Sequence, residues 1–144
     1  MRVVVQRSLE SSVSVDGKLI NKIDSGLVIL VGFTKGDAFS TVEKAVKKII
    51  NLRIFNDENG IMNKSIINIG GEILLISQFT LYANTAKGNR PSYIDALNGH
   101  DAKILYEYFN EKLNETIKTK CGVFGADMIV NITNDGPTTI MMQF

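Results

Sequence analysis

The sequence predicts an α+β fold in which two main helices pack on a curved or two-layer, mostly antiparallel β-sheet. Two β-rich runs flank Asp16 and Gly17, a pair of residues typical of a tight hairpin turn. The segment Gly26–Gly32 is apolar at every interior position, as in a strand that is covered on both faces. Residues 40–52 instead repeat apolar side chains at the helical period. Strands outnumber helices along the chain, which is the pattern of the α+β class.

The first predicted helix covers residues 40–52, and the face expected to be exposed to solvent is rich in lysine. Ser40 and Glu43 have the spacing of a capping box, which satisfies free N–H groups where a helix begins. The residues expected to face the core are Val42, Ala45, Val46, Ile49 and Ile50. A second helix is predicted over roughly residues 101–116. Its apolar stripe consists of Ala102, Leu105, Phe109 and Leu113.

Between the helices, a short strand and a turn are predicted over residues 52–60, followed by a central strand around Ile73–Ile76. The chain becomes polar directly after this strand, so functional groups could emerge there. If the strand continued, its alternation would place Gln78, Thr80 and Tyr82 on one face.

A Gly-Pro pair, Gly136 and Pro137, interrupts an otherwise apolar C-terminal stretch and is predicted to separate a last pair of strands. The preceding Asn134 and Asp135 with a glycine would already make an adequate hairpin turn. Proline fixes φ, removes a backbone donor and permits a cis bond, none of which a plain turn requires. From the residues alone, an ordinary trans turn is the default.

Length and composition predict one domain over residues 1–144. The chain has 44% hydrophobic and 22% charged residues and a formal charge of +1, which are ordinary values for a globular protein. No apolar run is long enough to cross a bilayer, and the N-terminus turns polar too soon for a signal peptide, so we expect a cytoplasmic protein. The near-neutral charge argues against a protein that grips long nucleic acid through many phosphates. Brief contact with an RNA end is compatible with it.

Cys121 and His100 are the only cysteine and the only histidine. They are too few soft ligands for a zinc site, so we expect neither a metal nor another cofactor. His100 stands at the start of a predicted helix, where the helix dipole disfavours an imidazolium, and we interpret it as a surface residue. Cys121 has no activating neighbour in the sequence and is interpreted as a half-buried packing residue.

Eight segments together resemble the D-aminoacyl-tRNA deacylase family, formerly called D-tyrosyl-tRNA deacylases, over the whole chain. They are "MRVVVQR", "SVSVDGK", "GLVILVGFTKGD", "NLRIFNDENGIMN", "GGEILLISQFTLYA", "KGNRPSY", "GVFGADM" and "NDGPTT". The chain departs from the family pattern at Thr138, where valine usually follows the Gly-Pro pair. Gly136 and Pro137 themselves are retained, so the departure concerns local packing.

The resemblance implies a hydrolase of the ester that joins a D-amino acid to the 3′ end of tRNA. Glycyl-tRNA mischarged on an alanine tRNA is a further substrate of the family. Its members are homodimers in which a cis Gly-Pro pair of one subunit projects into the active site of the other. Carried over, the carbonyl oxygens of Gly136 and Pro137 would accept hydrogen bonds from the substrate α-ammonium group. An L side chain would then collide with the backbone, so the selection is steric.

The resemblance also implies roles for the polar segment that follows the central strand. Backbone N–H groups near Ser77, Gln78 and Phe79 would stabilise the developing oxyanion, while the 2′-hydroxyl of the terminal adenosine helps to activate water. Thr80 has been considered as a nucleophile in the family. No base is evident here to activate its hydroxyl, so a supporting role for Thr80 ranks above covalent catalysis.

Two further features bear on partners. Lys87 and Arg90 lie in a turn-rich loop and could meet tRNA phosphates, although two loop cations are equally a solvated surface. The C-terminal tail carries Met141, Met142 and Phe144, which would be an aggregation hazard if they were exposed on a terminal strand. A two-fold related partner would cover them, and burial within the monomer is the alternative.

Two other functions stay open at this stage. The chain could be a dimeric RNA-binding or DNA-binding module that keeps the fold without catalysis, a reading weakened by its near-neutral charge. It could also hydrolyse small D-amino-acid esters or amides without tRNA. Removal of the terminal 2′-hydroxyl would discriminate between RNA-assisted catalysis and this last alternative.

Overall fold

The computed structural model describes residues 1–144 and has a six-stranded mixed sheet, a separate two-stranded ribbon and three helices, so the predicted α+β class is confirmed. The strands are β1 (Arg2–Val15), β2 (Lys18–Ile23), β3 (Gly26–Gly32), β4 (Phe55–Asn56), β5 (Met62–Lys64), β6 (Glu72–Ser77), β7 (Thr119–Cys121) and β8 (Ile129–Gln143). The helices are α1 (Phe39–Ile50), α2 (Ile66–Ile69) and α3 (Gly99–Asn114), and a 3₁₀ turn covers Phe79–Tyr82. No helix combines the length and the apolar character that a membrane crossing requires.

The main sheet has the order β2-β1-β3-β6-β7, and β8 pairs with the remaining edge of β1. Strand β1 is antiparallel to β2, β3 and β8, whereas the pairs β3–β6 and β6–β7 are parallel. Parallel neighbours need a crossover connection, and α1 and α3 lie in the two crossovers. The Asn21 side chain on β2 donates to the Cys121 carbonyl oxygen at 2.6 Å, so the two ends of the sheet approach each other and nearly close a barrel.

The hairpin between β1 and β2 confirms the prediction made from Asp16 and Gly17. Both residues have positive φ, 49° and 73°. This is the backbone geometry of a type I′ turn, whose twist matches that of the paired strands.

Helix α1 buries four of the five side chains expected to face the core, while the fifth, Ile50, is half-buried and the lysines face solvent. The predicted capping box of Ser40 and Glu43 is wrong. The helix begins after Ala38, whose N–H donates to Thr41 Oγ1 at 3.2 Å. The Glu43 carboxylate instead accepts from the Tyr108 hydroxyl on α3 at 2.7 Å, because the packing of the two helices brings that hydroxyl within reach.

The core divides into two clusters. The larger one includes the buried side chains of α1 and α3 with those of β1, β3 and β6, and the predicted stripe of the second helix is confirmed within it. The smaller cluster consists of Val13, Ile23, Val28, Leu74 and Ile76. Strands β3 and β6 supply residues to both clusters, which explains why their sequences are apolar without alternation.

A core prediction follows from this burial. Ile73 is fully buried in the larger cluster, whereas Leu19 is 62% exposed on β2. We expect Ile73→Ala to lower the free energy of unfolding by about 2–5 kcal/mol, because it leaves a cavity in the core. Leu19→Ala, the matched control, should change it by less than about 0.5 kcal/mol. Guanidinium chloride unfolding measures both, and equal effects of the two substitutions would contradict the described core.

Candidate active site

The polar segment after β6 does not continue as a strand. Residues Phe79–Tyr82 form a 3₁₀ turn, so the predicted alternation of Gln78, Thr80 and Tyr82 on one strand face is wrong. The turn folds back over Gly32 of β3, where an added Cβ atom would lie 2.7 Å from the Gln78 carbonyl oxygen. Only a residue without a side chain fits there, and the close approach fixes the turn against the sheet.

A cavity of about 550 Å³ opens beside this turn. Its walls come from the ends of β3 and β6, the residues just before and within the start of α3, the loop between β7 and β8, and the start of β8. Ser77, Gln78 and Phe79 line it, whereas Thr80 does not. Asp127 is the only ionisable residue in the lining, and it lies on the exposed side. A largely apolar cavity with a few polar groups is the usual form of a small-molecule site.

The backbone N–H groups at the cavity are not equivalent. The Gln78 N–H donates to the Val31 carbonyl oxygen at 2.7 Å and is therefore occupied. Because strand amides alternate in direction, the Ser77 N–H points the other way, past the end of β7. Phe79 begins the 3₁₀ turn, and its N–H has no backbone acceptor. The expectation for Gln78 is thus corrected, and two donors remain, those of Ser77 and Phe79.

Thr80 has no base beside it. The Thr80 hydroxyl oxygen accepts a hydrogen bond from the Gln78 side-chain amide, which is its one hydrogen-bond partner in the chain. An amide nitrogen is a donor only and cannot remove the hydroxyl proton. The contact holds the Thr80 side chain against that of Gln78 and does not activate it as a nucleophile.

The chain's lone histidine and lone cysteine also lie outside this chemistry. His100 is an exposed residue in the first turn of α3 and does not line the cavity. Burial raises the pKa of the Cys121 thiol above its ordinary value, so the reactive thiolate is disfavoured at neutral pH. No group of three or more His, Cys, Asp or Glu side chains comes together as a metal site would require.

The Gly136–Pro137 peptide bond is cis, and both residues are exposed. The predicted last pair of strands is one strand, β8, with a large bulge. Gln6 pairs with Thr139 and Ser8 with Asn134, so four residues of β8 stand opposite Arg7 alone. The surplus residues bulge outward and carry the Gly-Pro pair away from the sheet.

The Gly-Pro pair and Ser77 are far apart within one chain. Ser77 on β6 pairs with Val31 on β3, which in turn pairs with Val3 on β1. The bulge on β8 lies opposite Arg7, so it is three strands away from Ser77 across the sheet and four residues away along β1. Strand spacing and rise then give a separation on the order of 15–20 Å. The predicted site residues therefore form two groups, one at the cavity and one on the bulge.

Arg7 holds the bulge, and sequence reasoning missed it. The Arg7 guanidinium is buried and donates to the Ile54 carbonyl oxygen at 2.9 Å and to the Asp135 carbonyl oxygen at 3.2 Å. It also forms an ion pair with the Asp135 carboxylate at 2.8 Å. A signal was present, because β-alternation places Arg7 on the same buried face as Val3 and Val5.

The remaining predicted residues lie on the surface. Lys87 and Arg90 are exposed in a loop closed at its base by a bridge between Asn84 and Ser92, and neither forms an ion pair. In the C-terminal tail, Met141 is 75% exposed. Met142 and Phe144 are half-buried against the larger core cluster, so burial within the monomer accounts for these two.

Arg7 yields a structural prediction. Arg7→Lys keeps the charge but cannot reach both carbonyl oxygens and the carboxylate at once, so it should lower the free energy of unfolding by about 1–3 kcal/mol. Arg90→Lys, the control at an exposed site without partners, should leave it unchanged. Chemical unfolding measures the difference, and hydrogen exchange of the bulge amides should rise in Arg7→Lys alone. Unaltered exchange there would show that Arg7 does not hold the bulge.

Known proteins resemble this chain over nearly its whole length. The family model described as D-Tyr-tRNA(Tyr) deacylase matches residues 4–143. The chain is 54% identical to the D-aminoacyl-tRNA deacylase of Clostridium novyi and 54% identical to that of Clostridium tetani, in each case over 99% of this chain and 97% of the relative.

Two solved structures share the fold. The c-Myc DNA Unwinding Element Binding Protein is 41% identical with a TM-score of 0.94, and the alignment covers 100% of this chain and 99% of that protein. A probable eukaryotic D-amino acid tRNA deacylase is 17% identical with a TM-score of 0.84 over 98% and 97% of the two chains, a likeness that concerns the fold alone. With the full-length family match and the close relatives, the chain belongs to the D-aminoacyl-tRNA deacylase family, whose members are hydrolases.

Proposed function

We propose that this protein hydrolyses the ester bond of D-aminoacyl-tRNA, releasing the D-amino acid and free tRNA. The observation that carries the proposal is the cavity at the end of β6, where the N–H groups of Ser77 and Phe79 have no backbone acceptor and Gln78 completes the wall. Two backbone donors without acceptors at one end of a cavity suit the oxyanion that forms when water attacks an ester carbonyl. Family membership supplies the substrate class.

The chain's own part in the chemistry is to position and to stabilise. The Ser77 and Phe79 amides would hold the oxyanion, and the largely apolar walls would keep the site dry, which strengthens both hydrogen bonds. The lining holds no histidine, cysteine or lysine, its one carboxylate, that of Asp127, is exposed, and Thr80 lies outside it. Proton transfer is therefore assigned to the 2′-hydroxyl of the terminal adenosine, which takes a proton from the attacking water while its own proton passes to the 3′-oxygen as the ester bond breaks.

Chiral selection is assigned to Gly136 and Pro137. Their exposed position on the bulge makes them available to another molecule, and their separation from Ser77 excludes a role in the cavity of the same chain. Inserted into the cavity of a second copy, their carbonyl oxygens would accept hydrogen bonds from the substrate α-ammonium group. An L side chain would then point into the backbone and a D side chain outward.

A strong discrimination between D and L substrates would favour steric exclusion over an optional contact. A selectivity of about 10⁴ corresponds to roughly 5.5 kcal/mol at the transition state. A single optional hydrogen bond contributes about 0.5–1.5 kcal/mol, whereas overlapping heavy atoms readily exceed the required amount. Glycine has no side chain to exclude, so glycyl-tRNA mischarged on an alanine tRNA is the expected second substrate.

A homodimer is part of this proposal, and the edge of β8 supports it. Strand β8 pairs with β1 alone, which leaves its other edge unpaired, and Ile129 and Met141 are 66% and 75% exposed along it. Long unpaired edges with apolar side chains are normally covered. A second copy related by two-fold symmetry would cover both edges and exchange both bulges at once.

One alternative draws on a specific observation. A solved relative is named for binding a DNA unwinding element, so a nucleic-acid-binding module without catalysis is the second candidate. The formal charge of +1 gives little electrostatic attraction for a long duplex, which is why deacylation ranks first.

The deciding experiment compares the deacylation of D-tyrosyl-tRNA and L-tyrosyl-tRNA by the purified protein with hydrolysis in buffer. We expect rapid loss of the D ester, an L ester that decays at the buffer rate, and cleavage of glycyl-tRNA. A tRNA ending in 2′-deoxyadenosine should lose most of the activity. Cleavage of neither tyrosyl ester would favour the binding module, and undiminished cleavage of the deoxy substrate would favour a hydrolase of small esters that makes no use of the RNA.

Thr80 gives a separate prediction. Because its hydroxyl has no base and does not line the cavity, Thr80→Ala should retain turnover within about ten-fold of the unmodified protein, as expected for loss of one supporting hydrogen bond. Thr80→Ser, which keeps the hydroxyl, is the matched control. Single-turnover assays on D-tyrosyl-tRNA measure both. A loss of several orders of magnitude in Thr80→Ala with recovery in Thr80→Ser would instead identify a nucleophile.

A further inference from the structure

Two exposed aromatic side chains stand side by side at the rim of the cavity. Phe79 belongs to the lining and is 57% exposed, and Tyr93 is 40% exposed. Their ring centroids are 5.1 Å apart at an interplanar angle of 69°, an edge-to-face pair. Rings of this size are normally well buried in a folded chain, so a pair left open beside a cavity is a candidate binding surface.

The loop that leads into Tyr93 is cationic. Lys87 and Arg90 are exposed between the two residues of the Asn84–Ser92 bridge, and neither has an ion-pair partner. The nearest carboxylate in the sequence, Asp95, lines a separate polar cavity that also contains Arg2. Two unneutralised cations beside exposed rings are the combination by which proteins hold single-stranded nucleic acid.

A charge of the opposite sign lies on another wall of the cavity. Asp127 lines the cavity from the loop between β7 and β8, is exposed, and forms no ion pair. A phosphodiester strand leaving the cavity would be repelled by Asp127 and attracted toward Lys87 and Arg90. The signs of these charges therefore favour the side of Lys87 and Arg90 for the strand.

We propose that the nucleotide preceding the terminal adenosine of tRNA stacks its base on Tyr93, with its flanking phosphates facing Lys87 and Arg90. The proposal rests on the proposed function, because it takes the terminal adenosine and its ester to occupy the cavity. The edge-to-face contact with Phe79 fixes the tilt of the Tyr93 ring, and 40% of Tyr93 remains exposed for a base to cover. Stacking on an aromatic face tolerates any base, so this contact adds affinity without selecting among tRNAs.

The test compares a full substrate with a minimal one. For D-tyrosyl-tRNA and D-tyrosyl-adenosine, kcat/KM is measured with the unmodified protein, Tyr93→Ala and Tyr93→Phe. Loss of the ring in Tyr93→Ala should lower the ratio of kcat/KM for D-tyrosyl-tRNA to kcat/KM for D-tyrosyl-adenosine by about ten-fold, as for loss of one stacked base. The change should lie mainly in KM for the tRNA. Tyr93→Phe keeps the ring and should keep the ratio. The Lys87→Ala, Arg90→Ala double variant should flatten the salt dependence of KM for the tRNA.

Two results would overturn the stacking of a base on Tyr93. The first is an unchanged ratio in Tyr93→Ala, which would leave the deacylase activity itself intact. The second is a fall in molecular mass by light scattering in Tyr93→Ala, which would assign the aromatic pair to an interface between copies.

A binding readout separates this inference from the reaction. An RNA acceptor stem without an attached amino acid, carrying the fluorescent base pyrrolocytosine at its penultimate position, is titrated with the protein. Quenching by the unmodified protein and by Tyr93→Phe, but not by Tyr93→Ala, supports stacking even if neither ester is cleaved. Absence of quenching by the unmodified protein would overturn the proposal.

Discussion

The architecture of the site depends on the parallel pairing of β3 with β6. This pairing runs from Gly26 opposite Glu72 to Val31 opposite Ser77, and the next contact is the Gln78 N–H donating to the Val31 carbonyl oxygen. Beyond that bond the chain turns back over Gly32, where no side chain would fit. The register therefore decides which backbone N–H groups form hydrogen bonds within the sheet and which remain without an acceptor at its end.

The N–H groups without an acceptor matter because the cavity lining has few other polar groups. Its lining contains one ionisable side chain, Asp127, and neither the lone histidine nor the lone cysteine. Burial raises the pKa of the Cys121 thiol, which further reduces its reactivity. A site built in this way can hold a developing negative charge through backbone dipoles, and its single carboxylate is an exposed one. A substrate that carries its own hydroxyl group beside the ester is the natural complement to it.

Local patterns predicted most of the fold, and long-range contacts account for what they missed. Asp16 with Gly17 and the apolar segment Gly26–Gly32 were correct because a turn geometry and a strand covered on two faces leave local signatures. The 3₁₀ turn was missed because it depends on Gly32, which is distant in the sequence. The capping box failed for a similar reason, since Glu43 is engaged by Tyr108 of another helix.

The same distinction applies to the candidate site. The segments that hold Ser77 and Gly136 were identified through family resemblance, and the geometry then removed the Gln78 amide from the donors. Arg7 was overlooked, although its place in the alternation of β1 was visible, because its acceptors come from two distant segments of the chain. A buried charge in an alternating strand is a signal that gains meaning only when its partners are known.

The distance between the two groups of site residues means that one chain alone cannot bring them together. Ser77 and the bulge lie on different strands and at different heights of one sheet, and Arg7 ties the bulge to the Ile54 carbonyl oxygen. No small rearrangement within the chain could bring the Gly-Pro carbonyl oxygens to the cavity, because the strands between them belong to the core. If those carbonyl oxygens select the substrate, they must come from a second copy. Chiral selection would then vanish in a monomer, whereas the two amides of the cavity would remain.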